Sequence, residues 1–339
     1  MLNTARGTYS IFMMKVLAIT FGDPSTGSTL YRVMQYKSFL AEQGITLDTL
    51  SKNQLDSALF KNLSSYDCVI NQKCLLPLRK AHAIKSRAKR LIFDFDDAVY
   101  TRPGNPFSWI AGLRVRSRLK FWLKHAETVT AANHHLGQYA LSKGAHVQVL
   151  PMTLDLSVWK PAPQESQNTL TIGWAGAPAN LHHLERLQPV LKPLLSRYKH
   201  LKIAVYSGKK PRLDFPFEYV PFENGTEHLF TQKLDIGLLP LTNDEFSKGK
   251  SPIKAIQYLA CGVPVVGNVE GATTEILNGH NSIPVSSNHE WLEAIDYLVR
   301  NPKERAALGS AGRQHVLEHN NFEHGKKQWV DLLMRKHES

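Results

Sequence analysis

The sequence predicts an α/β fold of two domains, each a mostly parallel sheet with helices on both faces. Three observations carry that prediction. Short β-branched runs alternate with helical patterns from Lys15 to Leu150, a Pro/Ser/Gln-rich stretch at Lys160–Asn168 breaks the alternation, and the same alternation restarts at Leu170. A chain of 339 residues, 42% apolar and 21% charged, is long enough for two cores. The expected units are residues 1–165, residues 166–320, and a closing helix within 321–339 that can cross back to the first domain.

The first strand is read at Lys15–Phe21. The stretch Ile11–Phe21 is apolar enough for a signal peptide, but Lys15 interrupts it and no small-residue cleavage site follows, so residues 1–13 are expected to be a loose extension. The loop Gly22–Ser28 and a helical pattern over Leu30–Gln43, closed by Gly44, complete a strand–loop–helix unit. That loop lacks the GxGxxG spacing, which argues against a dinucleotide cofactor. Gly27 and Ser28 are its candidate ligand-facing residues; Arg32, one turn past Ser28, either faces the same ligand or is a solvated helix arginine.

Further strands are expected at Thr46–Leu50, Asp67–Asn71 and Arg90–Asp94. Ligands of parallel sheets bind beyond the carboxyl ends of the strands, and one such end carries Asp94, Asp96 and Asp97. Carboxylates this close are costly unless they face solvent, a cation or a hydroxyl-rich ligand; a plain surface turn is the alternative. Asp96 and Asp97 are the functional candidates, because Asp94 and Phe95 still belong to the strand.

Residues 107–124 mix aromatics with cations. At helical spacing Val115, Leu119 and Trp122 share one face, Arg116, Lys120 and Lys124 the opposite one, and Arg114, Arg118 and Phe121 the border. Such a helix either lies on an anionic lipid surface or is a core helix with snorkelling cations. A strand at Thr128–Ala131, a helix at Asn133–Ser142 and a strand at Val147–Leu150 complete the first half.

The second half offers strands at Leu170–Trp174, Lys202–Tyr206, Glu218–Pro221, Asp235–Leu239 and Val263–Gly267. Helices are expected at Leu181–Tyr198, Thr226–Lys233, Asn288–Arg300, Pro302–Glu318 and Phe322–Arg335. Between two of those strands lies Ser247–Val266, read as a basic glycine-containing loop, a short helix and a Gly-Val-Pro turn into a buried strand. Ser251 is expected as the N-cap with Pro252 at the first helical position, which would aim free N–H groups at the loop between Lys250 and Lys254. That is the setting of a phosphate site, with a capped helix and solvated lysines as the plain alternative.

Charge and cysteine content narrow the function. The net charge is +12, and from Arg79 to Lys124 twelve cations face three carboxylates, so +9 of it falls in that segment. Such an excess suits an anionic partner: a membrane surface, a phosphorylated substrate or nucleic acid. Nucleic acid is disfavoured, because no recognised module or stacking-aromatic pattern is present. Three cysteines without CxxC spacing point to a reducing compartment, and neither an HExxH nor a Cys/His set suggests a metal. No apolar run approaches membrane-spanning length.

Several motifs then fall into a familiar order: Ile172–Gly176, Asp235–Leu241, Gly249–Lys254, Tyr258–Val266, Gly271, Glu275, Gly279, Asn281 and Asn301-Pro302. Together they resemble glycosyltransferase family 4, whose members adopt the GT-B fold of two Rossmann-like domains with parallel sheets facing a central cleft. The likeness is strongest from Ile172 to about Leu333 and looser in the first half, through the first loop, Asp96–Ala98 and Pro151–Asp155. It implies a retaining, metal-independent sugar transferase with a nucleotide-sugar donor on the second domain and a glycan or lipid-linked acceptor on the first. Gly176, Ala177, Lys250, Ser251, Pro252, Ile253, Lys254 and Gln257 would bind the donor, Lys250 and Lys254 neutralising the diphosphate, and Asp96 and Asp97 would lie near the reacting centre. No cofactor is implied. Residues 107–124 would give peripheral contact with the inner face of an anionic membrane, in a cytoplasmic protein.

One departure stands out. The family pattern places two glutamates where this chain has Gly249 and Gln257. Gln257 still offers hydrogen bonds to a ribose hydroxyl but no charge, and Gly249 offers no side chain. A catalytically degenerate GT-B protein that serves as a binding or scaffold partner is therefore the alternative reading.

Overall fold

The computed structural model describes residues 13–104, 107–163 and 169–335. The extension expected at residues 1–13 thus lies, apart from Met13, outside the described residues, as do positions 164–168 of the linker and 336–339 of the closing segment. Two six-stranded sheets, parallel throughout, form the frame. The first comprises β1 (Met14–Thr20), β2 (Ile45–Ser51), β3 (Cys68–Gln72), β4 (Leu91–Phe95), β5 (Thr128–Ala131) and β6 (Val147–Val149), in the order β2-β1-β3-β4-β5-β6. The second comprises β7 (Leu170–Ala175), β8 (Leu201–Ser207), β9 (Glu218–Pro221), β10 (Ile236–Leu239), β11 (Val265–Gly267) and β12 (Ser282–Pro284), in the order β12-β11-β10-β7-β8-β9.

Each order reverses once, between β1 and β3 and between β7 and β10, and such reversals open a crevice beyond the strand ends. Beyond the carboxyl ends of these four strands the chain carries Ser28, Lys73, Gly176 and Lys250 respectively. The topology therefore fixes where a ligand can enter before any side chain is considered. Strands β3, β4 and β5 are buried along their whole length, as a sheet covered on both faces requires.

Two expected helices are broken by identifiable causes. In place of one helix over Leu30–Gln43 the chain forms Gly27–Arg32, a 3₁₀ turn at Met34–Tyr36 and Lys37–Glu42. Val33 leaves helical backbone (φ −129°, ψ −60°) so that Arg32 and Tyr36 both reach inward, to Asp94 and to Thr153. The Leu181–Tyr198 pattern divides into Leu181–Glu185 and Gln188–Arg197, because Pro189 has no N–H for the carbonyl of Glu185 and suits the first turn of a new helix.

The helix Trp109–His125 lays Trp122 parallel to Phe93 of β4, ring centres 6.0 Å apart, and buries Leu119, Phe121 and Leu123 beside it. The last helix, Phe322–Met334, packs on the first sheet: Trp329, Leu332 and Leu333 are buried with Met14, Val16, Leu40, Ile45 and Ile92. Each such side chain contributes about 1.5–3 kcal/mol relative to exposure. Arg90, paired with Glu127 at 2.9 Å, donates to the carbonyls of Leu332 and Leu333 and so caps that helix with a cation.

Candidate active site

The carboxylates after β4 are held by a lysine that carries no sequence motif. Lys73, at the end of β3, adopts a left-handed backbone (φ 44°), its N–H donating to the Asp94 carbonyl at 2.6 Å. This conformation turns its side chain inward, where it is 6% exposed; Nζ lies 2.9 Å from Asp96 Oδ1 and also pairs with Asp97. Ser28 donates its hydroxyl to the other oxygen of Asp96. Burial alone would raise the Asp96 pKa, but Lys73 and the Ser28 hydroxyl outweigh it and hold the carboxyl below its ordinary value. Burial would likewise lower the Lys73 pKa, and its two aspartates raise it instead. Asp96 is thus sealed in an ion pair, whereas Asp97, with its side chain 26% exposed, keeps an open edge.

Of the first-loop residues, Ser28 joins Asp96 and Gly27 begins its helix in open space, with no heavy atom within 4 Å of an added Cβ. Arg32 departs from both readings of the sequence. It faces neither ligand nor solvent: it is 1% exposed, grips both oxygens of Asp94 and donates to the Leu150 carbonyl, while Thr130 donates to Asp94 at 2.7 Å.

On the second domain the basic loop is built differently from expectation. A short helix, Glu245–Gly249, is capped by Asp244, which accepts from Ser247 N at 2.7 Å, and the next helix begins at Ile253. Ser251 is not its N-cap. Pro252 occupies that position without a side-chain bond, because Ser251 is turned to the other domain, where its N–H and hydroxyl both donate to the Asp96 carbonyl at 3.1 and 2.7 Å. Asn133 reinforces the junction, donating to Gly249 O at 3.3 Å and Ser251 Oγ at 3.4 Å. At Gly249 an added Cβ would stand 2.7 Å from Ala98 Cβ, so the close approach of the domains leaves no room for a side chain there. Glu275 adds a further tie, accepting from His134 N at 2.8 Å and contacting His134 Nδ1 at 2.9 Å.

The two lysines have unequal surroundings. Lys250 is half-buried and, among the described residues, has no carboxylate within 4.0 Å; burial lowers its pKa, Asp97 opposes, and Lys254 and Lys73 lower it further. Lys254 instead pairs with Glu227. Gln257, one turn on, is 1% exposed and donates through Nε2 to Glu227 Oε2 and to Tyr31 Oη, both at 2.8 Å. Tyr31 comes from the first domain, and burial and the Glu227 charge raise its pKa, so it stays protonated.

Gly176 is tightly placed: its N–H donates to Tyr206 O at 3.1 Å, and an added Cβ would lie 2.5 Å from the Trp174 ring. Ala177 is exposed and precedes a 3₁₀ turn at Pro178–Asn180. The following helix brings His183 within the field of Lys250, and burial, His182, Lys250 and Arg186 push the His183 pKa down to about 4. The structure therefore gathers Ser28, Asp96, Asp97, Lys250, Ser251, Lys254 and Gln257 along one junction; the Gly176–Ala177 turn precedes the helix that carries His183. It leaves Arg32 out, and it places Pro252 and Ile253 at the start of the helix Ile253–Ala260. Lys73, Tyr31, Glu227 and His183 are the residues that the sequence did not single out. Among the described residues, no three His, Cys, Asp or Glu side chains converge as metal ligands.

Comparison with known proteins agrees with this architecture. A family model described as glycosyl transferase-like matches residues 190–331. No curated protein sequence matches the chain. Among solved structures, Anabaena HepE in complex with UDP and glucose superposes with a TM-score of 0.73 at 13% identity, covering 96% of this chain and 100% of its own. Sucrose-phosphate synthase from Thermosynechococcus elongatus gives 0.72 at 14% identity, with 94% and 98% covered. A glycosyltransferase from Rickettsia africae gives 0.70 at 12% identity, with 95% and 98% covered. The fold is GT-B: two Rossmann-like α/β domains facing a common cleft.

Proposed function

We propose that the protein is a retaining glycosyltransferase. It moves a sugar from a UDP- or GDP-sugar to a glycan or lipid-linked acceptor in the synthesis of cell-surface polysaccharide or glycoconjugate. The observation that carries this reading is Lys250, a half-buried cation with no carboxylate within 4.0 Å among the described residues, in the field of Lys254, Lys73 and Asp97 between two GT-B domains. A cation in that state suits an anion arriving from outside, and diphosphate is the anion of this fold's liganded neighbours: HepE is described in complex with UDP-glucose and TarM with UDP. Lys250 and Lys254 neutralise the leaving diphosphate as the sugar–phosphate bond breaks with its electron pair. The acceptor oxygen bonds to the freed carbon from the same face, and Asp97 takes its proton. No metal is assigned to the step.

A peripheral membrane site accompanies this reading. At the start of the helix Trp109–His125, Trp109 is 75% exposed, Ile110 61% and Leu113 45%, beside exposed Arg114 and Arg116. Apolar anchors among cations suit the anionic inner face of a membrane, where a lipid-linked acceptor would be held. Among the described residues, no helix is long and apolar enough to cross a membrane.

A second reading has its own observation: Gly249 is packed shut against Ala98 and Lys254 is already neutralised by Glu227, which suits a GT-B protein that binds without transferring. Calorimetry with UDP, GDP and their sugars, followed by a transfer assay, separates the two. Equal nucleotide affinity in wild type and Lys250→Ala would sink the phosphate assignment, and binding with neither transfer nor hydrolysis would favour the scaffold.

A further inference from the structure

Four strands of the first sheet stand side by side in the order β2-β1-β3-β4, and just beyond their carboxyl ends the chain carries Lys52, Phe21, Lys73 and the pair Asp96 and Asp97. Parallel strands lie about 4.8 Å apart, so these side chains form one row along the edge where ligands of such sheets bind. Only one end of the row, Asp97, has a part in the proposed transfer. The other end, Lys52 on Phe21, has none.

That end holds a cation in a defined place. Phe21 N donates to Gln72 Oε1 at 3.1 Å, which fixes the backbone beneath a ring that is 42% exposed. Lys52 Nζ lies 3.6 Å and Lys73 Nζ 5.2 Å from the centre of that ring. The two ammonium groups are therefore within the length of a sugar phosphate of each other. Their partners differ: Lys73 is neutralised by Asp96 and Asp97, whereas half-buried Lys52 has no carboxylate within 4.0 Å among the described residues. An ammonium carries three donors, and contact with an aromatic ring does not exhaust them. The remainder suit an anion, because charge-assisted hydrogen bonds are the stronger contact.

We propose that Lys52 and Phe21 form a subsite for an anionic group on the acceptor, a phosphate or carboxylate one sugar ring away from the hydroxyl that reacts. The inference rests on the transfer proposed above and narrows its acceptor to an acidic sugar or a sugar phosphate. The reacting hydroxyl lies at Asp97, whose side chain is open to the cleft at 26% exposure. The sugar ring passes Lys73 and lies against Phe21, and its anion pairs with Lys52. Lys73 does not compete for that anion, because two aspartates already hold it, and Lys250 and Lys254 are covered by the donor diphosphate. Lys52 is here a specificity-determining residue and takes no part in bond breaking.

The test is ligand-observed NMR titration of the full chain with glucose 1-phosphate, glucuronate and methyl glucoside, after saturation with whichever of UDP and GDP binds. The bound nucleotide keeps the added anions off Lys250 and Lys254. Wild type should bind at least one of the two anionic sugars about fivefold tighter than methyl glucoside, and high salt should narrow that gap. Preference for glucose 1-phosphate alone assigns a phosphate, and preference for glucuronate alone assigns a carboxylate. Lys52→Gln should abolish the preference with nucleotide affinity unchanged, whereas Lys52→Arg, which keeps the cation and its contact with the ring, should retain it. Equal affinity for charged and neutral sugars, a preference that survives Lys52→Gln, or binding of none of the three would overturn the subsite while leaving the donor site in place. A wild-type chain that binds neither UDP nor GDP would remove the donor site itself, and this inference with it.

Discussion

The hydroxyl of Ser251 donates to the backbone carbonyl of Asp96 at 2.7 Å, so the basic loop of one domain is tied to the carboxylate-bearing turn of the other. Gly249 closes the same contact by having no side chain. Ser251→Ala removes one neutral hydrogen bond and should cost about 1 kcal/mol in unfolding measurements. Gly249→Glu, which restores the residue of the family pattern, should instead prop the domains apart; small-angle scattering should show a larger radius of gyration than wild type. An unchanged radius would mean that the junction yields without opening.

Lys250 should show opposite effects on stability and binding. Its charge is desolvated with no carboxylate close by among the described residues, so Lys250→Met should raise the thermal midpoint while weakening nucleoside-diphosphate binding by about tenfold or more. Lys254→Met should lower the midpoint instead, because it leaves Glu227 charged and largely buried without its lysine. A fall in the midpoint for both variants would contradict the difference in their surroundings.

Acid should destabilise the protein through His183. Its pKa falls from 6.5 to about 4 on folding, so between those values the unfolded chain binds more protons than the folded one, and stability declines as pH drops through that window. Asp96, held below its ordinary 3.8, extends the loss to lower pH. His183→Asn should flatten the slope between pH 6.5 and 4 while leaving the region below it steep, as read from midpoints across a pH series.

The exposed end of the helix Trp109–His125 should act as an anchor. Trp109→Ser with Ile110→Ser should reduce sedimentation with anionic vesicles without shifting the thermal midpoint, because both side chains lie outside the core. High salt should weaken the same association through Arg114 and Arg116. Binding that is indifferent to both changes would remove the membrane role.

The sheets were legible because buried parallel strands read as β-branched runs: Thr128–Ala131, buried throughout, matches to the residue, as does the more exposed edge strand Glu218–Pro221. Helix interruptions were not, since Val33 bends to satisfy Arg32 and Asp94, sixty-two residues apart. The same limit applied at the site. Lys250 and Asp97 announce themselves by local composition. Lys73 reveals its role only through a left-handed turn that sets it between two aspartates, and Glu227 only through packing beside Gln257. Ser251 was misread because a serine before a proline has the pattern of a helix cap, and no local signal tells that its hydroxyl is claimed by another domain. A left-handed lysine has a local cost, which the two ion pairs offset.

The return of the helix Phe322–Met334 to the first sheet also constrains how the molecule is made. Trp329, Leu332 and Leu333 complete the core around β1, β2 and β4, and Arg90 is fixed by the carbonyls of that helix. Domains ordinarily fold in the order in which the ribosome releases them. The amino-terminal domain would therefore keep an open apolar face until Phe322–Met334 is synthesised. A nascent chain halted at the linker would expose that face to chaperones and proteases.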